Sequence, residues 1–300
     1  MDMTQNKCCR HGANLRRRRR RRRKILRSII FSCSIIAVAV FVAVGSSMIR
    51  SGDGRTNRYD VEAGNNTYDN AVIENSKISG KNKIQNNQSM LDDIMNSTQY
   101  PKQLKDLALK NEEALEFVYD YPAEHVKEHT IDLTEEASMD SVPLFVQWDK
   151  RWGYEKYSGN FFAASGCGPT TLSMVVVYLT HNRDASPIAV AKYSKEAGYS
   201  VDGSGSSWTL ISEGCMHYGV KAKTVALDES RMKAELDAGH PIVINVGPGD
   251  FTDTGHFMVI TGYDDEGFSI NDPNSIEKSG KRWLFRNISS QIRAVWSMYV

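Results

Sequence analysis

Apolar positions along this chain fall into three regimes. From Ser28 to Ile49 the run "SIIFSCSIIAVAVFVAVGSSMI" carries no charge, and about 20 apolar residues suffice for a helix to cross a bilayer. From Ser51 to about Tyr100 a few aliphatics are scattered among Asn, Ser, Gly and charge, as in "GNNTYDN". Such a composition buries too little surface to fold alone, which predicts a flexible tether over 50–100. From Pro101 the pattern becomes periodic: Leu104, Leu107, Leu115 and Val118 recur at helical spacing among charges. That spacing predicts an amphipathic helical arm over 101–140, either packed on the domain that follows or blocking a cleft in it.

A main domain is expected over 141–300. It opens with "VPLFVQWDKRWGY", read as a strand and an aromatic loop, and continues into "AASGCGPTTLSMVVVYLT". There Leu172, Val175, Val176 and Leu179 form a helical stripe. Further helices are predicted after Pro187, from Trp208 to Tyr218, and over "ESRMKAELDAG". The remaining apolar segments, "KAKTVAL", "PIVINVG", "HFMVITGY", "FSIND" and "KRWLF", are short and separated by Gly, Asp and Pro turns, as strands are. Helices followed by an antiparallel sheet make the domain α+β.

Charge changes the picture at the N-terminus. The net charge of +1 conceals "RRRRRRRRK" from Arg16 to Lys24, directly before the apolar run. A basic flank predicts that residues 1–27 stay cytoplasmic, that 28–49 is a membrane anchor or a cleaved signal, and that the domain is exported. The arginines are thereby accounted for without a nucleic-acid partner. Beyond the apolar run the cysteines are Cys167 and Cys215. Neither has a second Cys or His at ligand spacing, so no metal and no cofactor is expected. Cys215 fits a buried small hydrophobe.

Cys167 lies between Gly166 and Gly168 and just before Pro169. Glycines permit a tight turn and proline favours the first helical turn, so the thiol is delivered to a helix start, where free N–H groups favour thiolate. A thiol nucleophile needs a base, and the base needs an orienting group. His256 opens an apolar strand directly after the Gly-rich "VGPGDFTDTG", and the next strand ends in Asn271 and Asp272. If these strands form a hairpin, Asp272 or Asn271 lies beside His256, and side-chain alternation allows only one of them to face it. The loops "GSGSSW" and "GPGDFTDTG" are the expected cleft walls, which makes Gly166, Gly168, Ser207, Trp208, Asp250 and Gly255 candidate substrate-binding residues for an extended peptide.

The segments "VPLFVQWDKRWGY", "SGCGPTTLSMVVVYLT", "GSSWTLISEG", "GPGDFTDTGHFMVITGYDD" and "NDPNS" together resemble the bacteriocin-processing-type cysteine peptidases, family thirty-nine of the papain-like group, in an exported single-pass form. The resemblance implies a papain-like α+β fold and a Cys167, His256, Asp272 triad, and so favours Asp272 over Asn271. In transporter-linked members a glutamine shortly before the cysteine helps form the oxyanion hole. Here Phe161 and Phe162 occupy that neighbourhood, and the nearest upstream glutamine is Gln147. The implied activity is peptide-bond cleavage through a thioester, by a protein anchored in the cell membrane with its domain outside. Non-catalytic peptide or cell-wall binding, and cell-wall amidase or acyl-transfer chemistry, are the alternatives.

Overall fold

The computed structural model describes residues 83–300. The basic segment, the expected membrane segment Ser28–Ile49 and most of the expected tether lie outside them. Among the described residues no helix is long and apolar enough to cross a membrane. Helix α1 occupies 83–96, inside the stretch read as tether. Its apolar residues are few, but Ile94 is fully buried, with Met90 and Leu91 packed beside it. Local composition hid this helix because its partner surface lies in the arm that follows.

That arm is helical as the spacing requires. Helix α2 (Lys102–Lys110), a 3₁₀ turn Glu112–Ala114 and a short helix Leu115–Tyr119 bury Leu104, Leu107, Leu115 and Val118. They pack against Phe161 and Ala163, immediately upstream of Cys167. The arm is therefore docked on the domain.

Helix α3 (Cys167–Thr180) runs through the centre, buried without interruption from Gly168 to Val177. A helix apolar on all sides has protein on all sides. Helix α4 (Pro187–Glu196), with Pro187 in its first turn and Ser186 capping the Ala189 N–H, packs alongside. Behind α3 stands one antiparallel sheet of β1 (Lys221–Thr224), β2 (Ile242–Val246), β3 (His256–Asp264), β4 (Gly267–Asn271), β5 (Arg282–Trp283) and β6 (Ile292–Tyr299), in the order β1-β6-β2-β3-β4-β5. Alternation sends Val243, Phe257, Val259 and Met298 toward α3. Ile242, Ile244, Met258, Ile260 and Ile270 face a second core closed by Met232 of helix α5 (Glu229–Asp237) and by Phe251 and Ile288.

Besides α1, four elements differ from the sequence reading. The opening "VPLFVQ" is an irregular segment: the Val142 and Pro143 carbonyls accept from the Asn271 side chain and the Gln147 N–H donates to Pro273, so its backbone is satisfied without a ladder. The helix expected from Trp208 to Tyr218 is broken into Thr209–Ser212 and a 3₁₀ turn Gly214–Tyr218. "KRWLF" contributes only Arg282–Trp283 before a helical turn, Phe285–Ile288. The strand β6 was not foreseen. Val295, Trp296, Ser297 and Met298 are all buried, so it shows no alternation, and Arg293 and Ser297 interrupt the apolar run.

Candidate functional site

Cys167 is the first residue of α3, with Gly166 at its N-cap. The two flanking glycines are held by packing. A Cβ on Gly166 would meet the Phe162 ring at 2.6 Å, and one on Gly168 would meet Ser206 Oγ at 2.5 Å. The helix start can therefore lie against both neighbours only with hydrogen at these positions. The sulfur is half-buried beside the N–H groups of Phe257 and Gly168. Burial alone would push this thiol up. The hydrogen bond and charge of His256, together with those two N–H groups, outweigh it and hold Cys167 below the ordinary thiol value.

His256 is the first residue of β3 and is buried. β3 and β4 pair as the expected hairpin, with Val259 opposite Asn271 and Ile260 opposite Ile270. One further step in that register sets Met258 against Asp272, so His256 is a diagonal neighbour of Asp272 on the same face. The contact is a hydrogen bond of 2.6 Å from His256 Nε2 to Asp272 Oδ1. Asp272 is fully buried, and the same oxygen accepts the Asn274 N–H at 2.8 Å. Asn271 faces the other way and donates to the Val142 and Pro143 carbonyls. With Nε2 engaged by the carboxylate, Nδ1 is the imidazole nitrogen left for the Cys167 thiol. Burial pulls the imidazole down; the Asp272 charge and hydrogen bond, then Cys167, overcome it and hold His256 well above its ordinary range.

Gln147 lies in the same pocket although 20 positions separate it from Cys167. Its Nε2 donates to the Ala163 carbonyl at 2.7 Å, and its buried Oε1 has no hydrogen-bond partner. One amide hydrogen thus fixes the side chain and the second is free to serve a ligand. The irregular entry segment thus brings a glutamine into the pocket that holds Cys167.

Two cavities meet at Cys167. One, of 610 Å³, is lined by Gln147, His256, Lys278 and the 249–255 loop, and the arm adds Gln103, Asp106 and Lys110. The other, of 700 Å³, is lined by residues 203–206, Trp208, the Asn245–Pro248 segment and Arg293. Asn160, Ala164, Thr254 and Gly255 line both. The result is a trough crossing the thiol, suited to an extended chain. Trp208, 48% exposed, and Gly255 line the trough. Asp250 lines the first cavity but is tied to Gln291 through both its N–H and its carboxylate. Gly166, Gly168 and Ser207 do not line the trough: the glycines serve close packing, and Ser207 Oγ turns to Thr209. Sequence reasoning missed the arm residues, Asn160 and Arg293. "GSG" was the available signal for Gly205, whose φ of +86° lets the 203–206 loop approach the Ser165 carbonyl.

The sequence model of the Peptidase_C39 like family matches residues 139–300. No curated protein matches the chain. Similar solved structures include the peptidase domain of Streptococcus ComA, described as a bi-functional ABC transporter involved in a quorum-sensing pathway. That likeness is 19% identical, has a TM-score of 0.36, and covers 45% of this chain and 90% of that one. A putative C39-like peptidase from Bacillus anthracis is 17% identical, with a TM-score of 0.34, over 53% of this chain and 95% of that one. With the match extending over more than half of its residues, this chain belongs to the Peptidase_C39 like family.

Proposed function

We propose that the protein is a cysteine peptidase that cleaves peptide bonds with Cys167 as nucleophile, His256 as acid and base and Asp272 as the group orienting His256. The observation that carries this reading is the 2.6 Å bond from His256 Nε2 to a fully buried Asp272, which leaves Nδ1 to a thiol at a helix start. The helix-then-sheet order and the cleft across the helix start support a papain-like fold. Family membership supports a peptide or protein substrate.

Cys167 passes its proton to His256, and the thiolate attacks the carbonyl carbon. The oxyanion that forms is held by the Cys167 N–H and the second N–H of Gln147. His256 then gives its proton to the leaving amine as the C–N bond breaks, which leaves a thioester. Water attacks the thioester, giving one proton to His256, and the peptide leaves as an acid while the thiol is restored. Asp272 holds the ring and stabilises the imidazolium throughout. We further propose that Ser28–Ile49 anchors the chain with the basic run cytoplasmic, so that the peptidase acts outside the cell.

Alkylation of the full chain with iodoacetamide across pH, read at the Cys167 peptide by mass spectrometry, tests the reading. The site requires a Cys167 that reacts well below pH 8.5, the ordinary value being about 8.5. It also requires that His256→Ala abolish this and that Cys167→Ala remove cleavage of a peptide library. A Cys167 that reacts like a free thiol, whatever stands at position 256, sinks the proposal.

A further inference from the structure

The turn that carries Asp272 is held from outside the family's matched region. Asn111 Nδ2 donates to both the backbone and side-chain oxygens of Asn274, at 2.9 and 3.0 Å. Glu113 takes three donors from the next residues: the Ser275 hydroxyl, and the N–H groups of Ile276 at 2.7 Å and Glu277 at 3.0 Å. These are the free N–H groups of the turn Ile276–Ser279, whose Ser279 Oγ in turn accepts the Asp272 N–H at 2.9 Å. Asn111 and Glu113 belong to the helical arm, whereas the family match begins at 139.

The same turn is also gripped by the entry segment. The Gln147 N–H donates to Pro273 at 2.7 Å and Trp148 Nε1 to Asn274 at 3.2 Å. The arm also packs on Phe161 and Ala163, the lead-in to Cys167, and supplies Gln103, Asp106 and Lys110 to the cleft. It thus touches the nucleophile's approach, the acid's turn and one wall of the trough.

We propose that the arm is part of the active site, with Glu113 and Asn111 as positioning residues that hold the Asp272 turn in register for His256. Charge-assisted bonds to a carboxylate are about twice as strong as neutral ones, so the three donors gathered by Glu113 add substantially to the turn's own bonds. A displaced Asp272 lengthens a 2.6 Å bond on which the imidazolium depends, and the thiolate with it. The proposal rests on the peptidase reading above. It rules out the arm as a segment whose removal frees the enzyme.

The test compares full-length wild type with Glu113→Ala, Glu113→Gln, Asn111→Ala and Lys150→Ala by Cys167 alkylation across pH and by kcat and KM on a cleaved peptide. The charged groups facing this cavity, Asp106, Lys110, Asp250, Asp253 and Lys278, stay unchanged in every variant. A positioning role requires Glu113→Ala to raise the pH of half-maximal alkylation by about one unit, a tenfold weakening of thiol ionisation. It also requires kcat to fall with it while KM changes less. Glu113→Gln, which keeps one acceptor oxygen, falls between, and carries the test if the alanine variant does not fold. Lys150→Ala removes a 2.6 Å ion pair from the domain to Asp120 on the arm and none of the bonds to the turn. It lowers the melting temperature and leaves the pH profile where it was. Glu113 variants that lose stability but keep the wild-type profile overturn the proposal. If wild-type Cys167 is itself an ordinary thiol, the peptidase reading fails first and the arm's role falls with it.

Discussion

Asp272 accepts the His256 Nε2 proton at 2.6 Å, while its neighbour Asn271 turns to the opposite face and binds the Val142 and Pro143 carbonyls. The two adjacent polar residues therefore predict opposite phenotypes. Asp272→Asn keeps the shape and loses the charge beside the imidazole, which is worth about 1 to 3 pKa units. We expect the equilibrium from thiol to ion pair to shift about 10- to 1000-fold toward the thiol, and the alkylation profile to move to higher pH. Asn271→Ala leaves two carbonyls unpaired and costs about 1 to 3 kcal/mol of stability, with the alkylation profile unchanged. Measuring both variants side by side decides which residue orients His256.

The pH dependence follows from the opposed directions of the pair. Cys167 is held below its ordinary value and His256 above its own. Thiolate and imidazolium therefore coexist from the lowered thiol value up to the raised imidazole value. Peptide cleavage should rise as pH climbs through the first and fall through the second, because the leaving amine takes its proton from His256. Alkylation needs only the thiolate and should show the rise without the fall. In His256→Ala burial is opposed only by the Phe257 and Gly168 N–H groups, so the Cys167 titration should move up. A cleavage profile that rises only at pH 8.5 or above counts against the pair.

Gln147 offers a test that separates the proposed oxyanion stabilisation from nucleophile activation. Its side chain is fixed by the Ala163 carbonyl at 2.7 Å and makes no contact with the His256–Asp272 bond. Removing one oxyanion donor typically costs about 10²- to 10³-fold in kcat. Gln147→Ala should show that loss in peptide cleavage while alkylating at Cys167 within about threefold of wild type. Equal losses in both assays would mean that Gln147 only shapes the pocket.

The helix start, the hairpin and the arm's apolar stripe were legible in the sequence because each rests on a local rule. Gly and Pro bracket Cys167, short apolar runs set off by Gly and Asp turns mark β3 and β4, and a helical period places Leu104, Leu107, Leu115 and Val118. What was not legible is set by partners distant in the chain. Helix α1 is buried against the arm, β6 is covered on both faces, and the opening segment is satisfied by Asn271 and Pro273 instead of by a strand. The choice between Asn271 and Asp272 needed the register of Val259 with Asn271. The grip of Asn111 and Glu113 on the Asp272 turn crosses more than 160 residues, beyond any periodicity.

Gly168 and Ser206 offer a test of how tightly the thiol's platform is built. A methyl at Gly168 would meet Ser206 Oγ at 2.5 Å and its Cβ at 2.8 Å, and Ser206 Oγ is itself bonded to the Tyr157 hydroxyl at 2.6 Å. The serine therefore has little freedom to yield, and overpacking of this kind costs about 1 to 3 kcal/mol. Gly168→Ala should push the start of α3 away from the 203–206 loop. That lowers the melting temperature, and it also slows peptide cleavage, because the Gly168 N–H beside the sulfur moves with the helix. Ser206→Gly removes both offending atoms. The double variant Gly168→Ala, Ser206→Gly should therefore recover most of the lost cleavage, although it forgoes the bond to Tyr157. Were it no better than Gly168→Ala alone, the clash with Ser206 would not be what constrains this glycine.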